Sequence, residues 1–414
     1  MTTPRRLEAA WLTEGALARV LATLDGAGEE ARLVGGTVRN ALLGEPFGDA
    51  DIATTALPAE VIRRVEAAGF KAVPTGIEHG TVTVVVDSRP FEVTTLREDV
   101  ETFGRHAKVA FGRDWRRDAE RRDFTMNALF LSRDGTIHDF VGGLADLEAR
   151  RVRFIGNPAQ RIAEDYLRIL RFFRFHAAYG EGALDPAGLH ACIAARSGLD
   201  TLSRERVRME LLKLLAAPRP APTLAVMSET GLLEQVIGGV PLLASANKMI
   251  GLEASLSLTA DPVRRLAALG ILVREDAERL RDRLRLANVE FERLTAMAEG
   301  WTGISPPAND DDARGLLYRL GPQTFIDSVL LAWSRATQDP TDRSWRAMAT
   351  LPARWEAPVF PLKAADLLAR GMTKGPALGA ALRRAEEAWI ADGFPRDPDS
   401  LARVADAAAR TAVS

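Results

Sequence analysis

Two short stretches hold residue types that could handle a phosphate and a metal. Gly35-Gly36-Thr37-Val38-Arg39 sets two glycines ahead of a helical pattern, and Asp49-Ala50-Asp51 follows after a short gap. Glycines at a helix start let backbone N–H groups approach a phosphate closely, and the helix N-terminus adds positive potential. Gly36 supplies that approach, Thr37 a hydroxyl and Arg39 a guanidinium. On a strand, Asp49 and Asp51 would project to one face, where two carboxylates repel unless a cation sits between them. Such oxygen ligands suit Mg2+, which takes one or two carboxylates and fills its shell with water and substrate phosphates. Alone, a Gly-Gly is a turn and an Asp-x-Asp a solvated acidic turn. Together at this spacing they point to phosphoryl or nucleotidyl transfer.

A second constellation lies at Glu164-Asp165-Tyr166-Leu167-Arg168, with Arg171 and Arg174 continuing the row. On a helix, Asp165 and Arg168 lie three apart and share a face. An aspartate only accepts hydrogen bonds and an arginine only donates them. Cytosine and adenine each offer an exocyclic amino group beside a ring-nitrogen acceptor, whereas guanine and uracil present the reverse. One Asp–Arg pair can therefore accept C and A and leave buried groups unpaired against G and U, at on the order of 1–3 kcal/mol each. The plainer reading is an i,i+3 salt bridge on a solvated helix. Each three-residue step drifts by about 60°, which turns Arg174 nearly opposite to Asp165.

The elements that must position these residues read as mixed α and β, then all α. Helical pattern covers Leu7 to Leu24 and Thr37 to Leu43, with a short apolar run at Arg32 to Val34 between them. Phe47 to Thr54 reads as a strand and Pro58 to Gly69 as a helix. Thr81 to Asp87 and Pro90 to Arg97 alternate as a hairpin does, with Asp87-Ser88-Arg89 as its turn. Phe124 to Ser132 and Ile137 to Phe140 are further short candidates. Asn157 can cap a helix with Pro158 in its first position and Gly180 at its end, about 33 Å long. From there on, helical periodicity continues with short Pro/Gly breaks near Pro218 to Pro222 and Pro306 to Asp312; Leu280, Leu284, Phe291, Leu294 and Met297 have the spacing of a buried stripe. The expected class is α+β, a small mixed-sheet head with an elongated all-α remainder. The expected division is a catalytic head over 1–148, a helical neck over 149–217, a body over 218–304 and a tail over 305–414.

With 414 residues, 47% of them apolar and 27% charged, the chain is neither a disordered tether nor a fibre, and it is long enough for two to four packed units. No apolar stretch reaches the ~20 residues of a membrane span, and Met1 to Leu12 has no secretory pattern. The single cysteine, Cys192, excludes an internal disulfide and a thiolate zinc site. A cytoplasmic protein is expected, with no membrane and no obligate protein partner. The net charge of −2 gives bulk electrostatics no reason to favour a polyanion. Six lysines among 54 basic residues show an arginine bias, and Arg113 to Arg122 alone carries five arginines. A biased genome explains much of that, yet guanidinium groups bind phosphates and base edges bidentately. No pair among the five histidines has metal-ligand spacing.

The Gly-Gly and Asp-x-Asp pair resembles the head of the nucleotidyltransferase superfamily. Reading on, Phe91-Glu92-Val93-Thr94-Thr95-Leu96-Arg97, Arg121-Arg122-Asp123-Phe124-Thr125-Met126-Asn127-Ala128-Leu129, Gly142-Gly143-Leu144-Ala145-Asp146-Leu147, and Glu164 to Phe175 look like motifs of class II CCA-adding enzymes, in the family's order. Ser203 to Leu211 resembles a fifth motif, a helix that braces the base-reading one.

The resemblance implies template-independent addition of CCA to the 3′ end of tRNA from CTP and ATP. It implies Asp49 and Asp51 as catalytic ligands of two Mg2+ ions, and Gly36, Thr37 and Arg39 on the triphosphate. Arg122, Asp123, Asp165, Arg168, Arg171 and Arg174 would line the nucleotide site, and the helical tail would bind the tRNA acceptor arm. Glu92 is a candidate third carboxylate, and Thr102 to Trp115 corresponds to a mobile loop of the family. Bacterial poly(A) polymerases share the head motifs, but the Gly-Arg-Arg-Phe run they carry is absent before Glu92. Enzymes adding only CC or only A remain alternatives. Asn40 departs from the family, which usually has an aspartate after the Val-Arg of the first motif.

Overall fold

The structure, a computed structural model, describes residues 5–46, 48–103, 106–306 and 310–410. Contacts divide it into two units, Met1–Val236 and Ile237–Ser414.

In the first unit, α1 (Ala10–Thr13) and α2 (Gly15–Leu24) replace the one helix expected there, because Glu14 is extended between them. β1 (Ala31–Val34), α3 (Gly36–Leu43), β2 (Asp51–Thr54), α4 (Pro58–Ala67), β3 (Lys71–Gly76), β4 (Thr81–Val86) and β5 (Arg89–Thr95) follow. Phe47, expected to start the second strand, lies outside the described residues, and Asp49 falls in a bend before β2. After β6 (Arg97–Phe103), β7 (His106–Phe111) and α5 (Trp115–Glu120) come β8 (Leu129–Ser132), β9 (Ile137–Asp139) and α6 (Gly143–Glu148). The seven-stranded sheet runs β3-β4-β5-β2-β1-β8-β9. Only the β2–β5 pair is parallel, and it sets Asp51 beside Glu92. Alternation explains β4, whose Val82, Val84 and Val86 are buried while their neighbours are not. Asp87 and Ser88 both take positive φ, 52° and 62°, as a tight hairpin turn demands.

The segment expected as a loop is instead an antiparallel ribbon, β6–β7, outside the main sheet. Its tip at 104–105, Gly104 included, lies outside the described residues.

The predicted 22-residue helix is two. α7 (Pro158–Glu164) starts as expected, with Asn157 Oδ1 accepting from the N–H groups of Ala159 and Gln160. It stops at Asp165, which is extended (φ −155°), and α8 (Leu167–Tyr179) begins anew. The Asp165 carboxylate accepts the Leu167 N–H at 3.1 Å, so its side chain competes with the helix for backbone donors and wins. α9 (Pro186–Ala194), α10 (Arg204–Leu215) and α11 (Pro220–Glu229) follow in the same unit. Phe124 holds α8 against the head: its ring centroid lies 4.9 Å from that of Phe154 and 5.2 Å from that of Phe175.

Among its described residues the second unit is helical, from Leu243–Ser255 to Pro398–Arg410. Its long helix Asp310–Arg335 kinks at Gly321, ahead of Pro322. Arg264 and Arg265 are buried yet compensated. Glu253 binds both, at 2.8 and 2.6 Å, and Asp327 binds Arg264 at 2.9 Å. No described helix is long and apolar enough to cross a membrane.

Candidate active site

Within the first unit a cleft of about 500 Å³ is lined by the glycine turn, β2, the segment after α5, the α7–α8 break and α10. Gly35 caps α3 with φ 71° and ψ −130°, a conformation that a side chain would strain. A Cβ there would lie 3.9 Å from both Asp51 Oδ2 and Arg122 Nη1, so the turn places backbone, acid and arginine together. Thr37 does not line the cleft. Its hydroxyl donates to the Asp49 carbonyl at 3.2 Å and lies 3.4 Å from the Asp51 N–H, tying α3 to the acidic segment.

Asp51 lines the cleft and Asp49 does not. Both keep exposed surface, Asp51 only in part desolvated by its surroundings, and among the described residues neither carboxylate takes part in a hydrogen bond or ion pair. Burial pushes the Asp51 carboxyl up, and the charges of Glu92 and Asp49 push it further, against the pull of Arg122. A carboxylate repelled by the charges of Glu92 and Asp49, with no protein partner among the described residues, fits a divalent cation, whose charge would offset that repulsion. Among the described residues there is no group of three side chains of metal-binding type, so any ion here depends on two carboxylates, water and substrate oxygens.

The arginines of the cleft are held in place by acids that sequence reading did not single out. Asp118, with a side chain only 1% exposed, takes Arg122 at 2.9 Å and Arg121 at 2.7 Å. Its burial raises its pKa, but the two guanidinium charges outweigh that and keep it ionised below the usual range. Asp123 accepts from Arg171 Nε at 2.8 Å and from Asn127 Nδ2 at 3.1 Å. Burial again opposes its charge, and Arg171, Asn127 and the Phe124 N–H together hold it low.

Asp165 and Arg168 both face the cleft, but through a capping turn and not from one helix face: the Arg168 N–H donates to the Asp165 carbonyl at 3.0 Å. Their side chains have separate partners. Asp165 Oδ2 accepts from Arg206 at 2.6 Å, while Arg168 binds Glu164 and the Arg161 carbonyl. Arg206, read from the sequence only as part of a brace, lines the cleft itself. Arg174 does not; it pairs with Glu210 at 2.5 Å and lies over the Phe175 ring. Thus Gly36, Arg39, Asp51, Arg122, Asp123, Asp165, Arg168 and Arg171 come together in the cleft, and Asp49, Thr37 and Arg174 are not among its lining residues. Asp118, Asn127, Glu164 and Arg206 carried no separate signal beyond lying inside or beside the quoted motifs.

Comparison with known proteins gives the chain a family. Residues 31–153 match the family described as the poly A polymerase head domain, and residues 183–246 match a probable RNA and SrmB-binding site of polymerase A. The solved Bacillus stearothermophilus CCA-adding enzyme in complex with CTP superposes with a TM-score of 0.72 at 29% identity, covering 95% of this chain and 96% of that one. The Thermotoga maritima CCA-adding enzyme complexed with tRNA shares the fold, with a TM-score of 0.70 at 18% identity over 98% and 99% of the two chains. A Limosilactobacillus fermentum CCA-adding enzyme is 32% identical over 93% of this chain and 95% of its own. The human mitochondrial CCA tRNA nucleotidyltransferase 1 is 34% identical over 90% of this chain and 85% of its own. Identity of 34% and 32% over 90% and 93% of this chain places it in the CCA tRNA nucleotidyltransferase family.

Proposed function

We propose that this chain adds CCA to the 3′ end of tRNA, taking CTP and ATP in turn and choosing bases with its own side chains. The observation that carries the reading is one cleft in which unpartnered Asp51, the Gly35-Gly36 turn with Arg39, and the Asp165–Arg168 turn converge. Asp49 and Asp51 would hold the two Mg2+ ions, whose charge would favour ionisation of the attacking 3′-hydroxyl and departure of pyrophosphate. The N–H groups at the start of α3 and the Arg39 guanidinium bind the phosphates, as helix N-termini do. Arg122, gripped by Asp118, lines the same cleft close to Gly35 and Asp51.

Base choice falls to Asp165 and Arg168. A carboxylate offers about four acceptor sites, and Asp165 spends two on Leu167 and Arg206, so it can still take an amino group of C or A. Arg168 has one nitrogen on Glu164 and the Arg161 carbonyl and the rest of its fork to donate to a ring nitrogen. Guanine or uracil would set carbonyl against carboxylate and N–H against guanidinium. Arg206 braces Asp165 from α10, Arg171 lines the same cleft paired with Asp123, and Arg174 acts through Glu210. The helical tail is the proposed seat of tRNA binding, by shape and phosphate contacts, since one enzyme must accept all tRNAs.

The description of the matched head domain names poly A polymerase, so polyadenylation is the reading to exclude. tRNA lacking its terminus, given CTP, ATP or both, separates them. Stepwise C, C, A addition supports the proposal. Long A tails from ATP alone refute it, and arrest after CC, or addition of A only to a CC end, marks a partial enzyme.

A further inference from the structure

Gly198 lies in a short 3-10 helix, Arg196–Thr201, between α9 and α10. Its φ is not positive, so the backbone conformation does not require a glycine. Space does. A Cβ at this position would lie 2.0 Å from Tyr166 Cδ1 and 2.3 Å from its Cγ and Cε1. These atoms are the root and near edge of the ring, which cannot swing clear unless the whole side chain moves. The Tyr166 ring therefore rests on the Gly198 backbone, and that backbone is itself held. The Gly198 N–H donates to the Ala195 carbonyl at 3.0 Å, its carbonyl accepts from the Thr201 hydroxyl at 2.7 Å, and Leu199 beside it is buried.

Tyr166 occupies the point where α7 and α8 part. It follows the extended Asp165, takes helical angles (φ −60°, ψ −17°) and opens α8, its carbonyl accepting the Ile169 N–H at 3.1 Å. The competing arrangement is one unbroken helix, which Ala163, Glu164, Leu167 and Arg168 favour by type. In it the Leu167 N–H would turn to the Ala163 carbonyl and leave the Asp165 carboxylate. Two contacts from one stretch of chain oppose that outcome: Tyr166 seated on Gly198 and, eight residues on, Arg206 paired with Asp165 Oδ2 at 2.6 Å.

We propose that Gly198 is a positioning residue for base choice: the room left by its missing side chain seats Tyr166, keeps the chain broken at Asp165, and so holds that carboxylate toward the cleft. The inference rests on the reading that Asp165 and Arg168 select the base, and adds to it what holds the break open.

Single-nucleotide addition to tRNA lacking its terminus is measured with CTP and with UTP for the full parent chain, Gly198→Ala, Tyr166→Phe, Tyr166→Ala and the double variant Gly198→Ala/Tyr166→Ala, with thermal unfolding to confirm that each folds. Gly198→Ala should lower the CTP-over-UTP preference about fivefold or more. Tyr166→Phe keeps the ring and should match the parent, because among the described residues the Tyr166 hydroxyl has no hydrogen-bond partner. Tyr166→Ala empties the seat and should lose preference too; in that background Gly198→Ala should add less than about twofold, the clash being gone. A merely structural glycine would slow CTP and UTP in proportion. That result, an unchanged preference in Gly198→Ala, or penalties that simply add in the double variant would overturn the inference. Should Gly198→Ala fail to fold, Tyr166→Ala decides: a lost preference supports the inference and a parental one overturns it. A parent without CTP-over-UTP preference refutes the base-reading proposal and the inference with it, whereas a discriminating parent beside an equally discriminating Gly198→Ala refutes the inference alone.

Discussion

Asp118→Asn keeps shape and volume while removing one charge from beneath the cleft. The carboxylate is 1% exposed and takes four N–H donors from two guanidiniums: Arg121 Nε and Nη2 at 2.8 and 2.7 Å, Arg122 Nε and Nη2 at 3.2 and 2.9 Å. An amide can keep one oxygen facing one arginine, but its NH2 must then face the other, donor against donor. Removing one partner of a buried ion pair costs about 3–5 kcal/mol, and the lower figure applies because both arginines retain some water. For a unit of this size about 3 kcal/mol lowers the melting temperature by roughly 6–12 °C. The released Arg122 should raise KM for CTP and ATP alike, by about tenfold. Thermal unfolding by circular dichroism and single-nucleotide addition kinetics check both. Base preference should not move, because Asp165 and Arg168 keep their partners. An unshifted melt, or lost base choice at unchanged KM, would refute the assignment of Asp118 as the anchor of Arg122.

Asp51→Asn should cut transfer by about a thousandfold or more while leaving tRNA affinity intact, because the proposed cation loses a ligand. Folding raises the Asp51 pKa, so its charge destabilises the fold above the unfolded-state pKa. The same variant should therefore melt higher than the parent at neutral pH without Mg2+ and gain nothing from added Mg2+; a lower melt contradicts this. Arg168→Ala should reduce C-over-U discrimination between roughly fivefold and a hundredfold, read from misincorporation kinetics, with little change in melting; unchanged discrimination removes Arg168 from base reading. Asp118, Asp123 and Asp146 all have folded pKa values below the ordinary carboxylate value. Their contribution is present above about pH 4 and is lost as pH falls through the folded values, so acid unfolding should begin below that point. In Asp118→Asn the acid limb should be shallower, and equal slopes would argue against the linkage.

The glycine turn, the hairpin at Asp87-Ser88 and the Pro158 helix start were legible because each is set by neighbours a few residues away. β3 was not, since Lys71-Ala72-Val73-Pro74-Thr75-Gly76 is a half-exposed edge strand with a proline and no alternating pattern. β6–β7 lies apart from the main sheet, paired only with itself. The break at Asp165 was hidden for another reason. Good helix formers flank it, and the interaction that fixes its carboxylate comes from Arg206, 41 residues on. Site residues followed the same rule. Arg39, Asp51 and Asp165 announce themselves by type and spacing, whereas Tyr179 gains meaning only from a contact with Arg39, 140 residues back.

Helix α8 starts beside the acid proposed to read the base and ends at the tyrosine that grips the phosphate-side arginine. Its 13 residues therefore act as a ruler about 20 Å long. Adding or deleting one residue inside it would swing one end by about 100° relative to the other. The length of this helix should accordingly tolerate no insertion, even where many of its individual side chains can be exchanged.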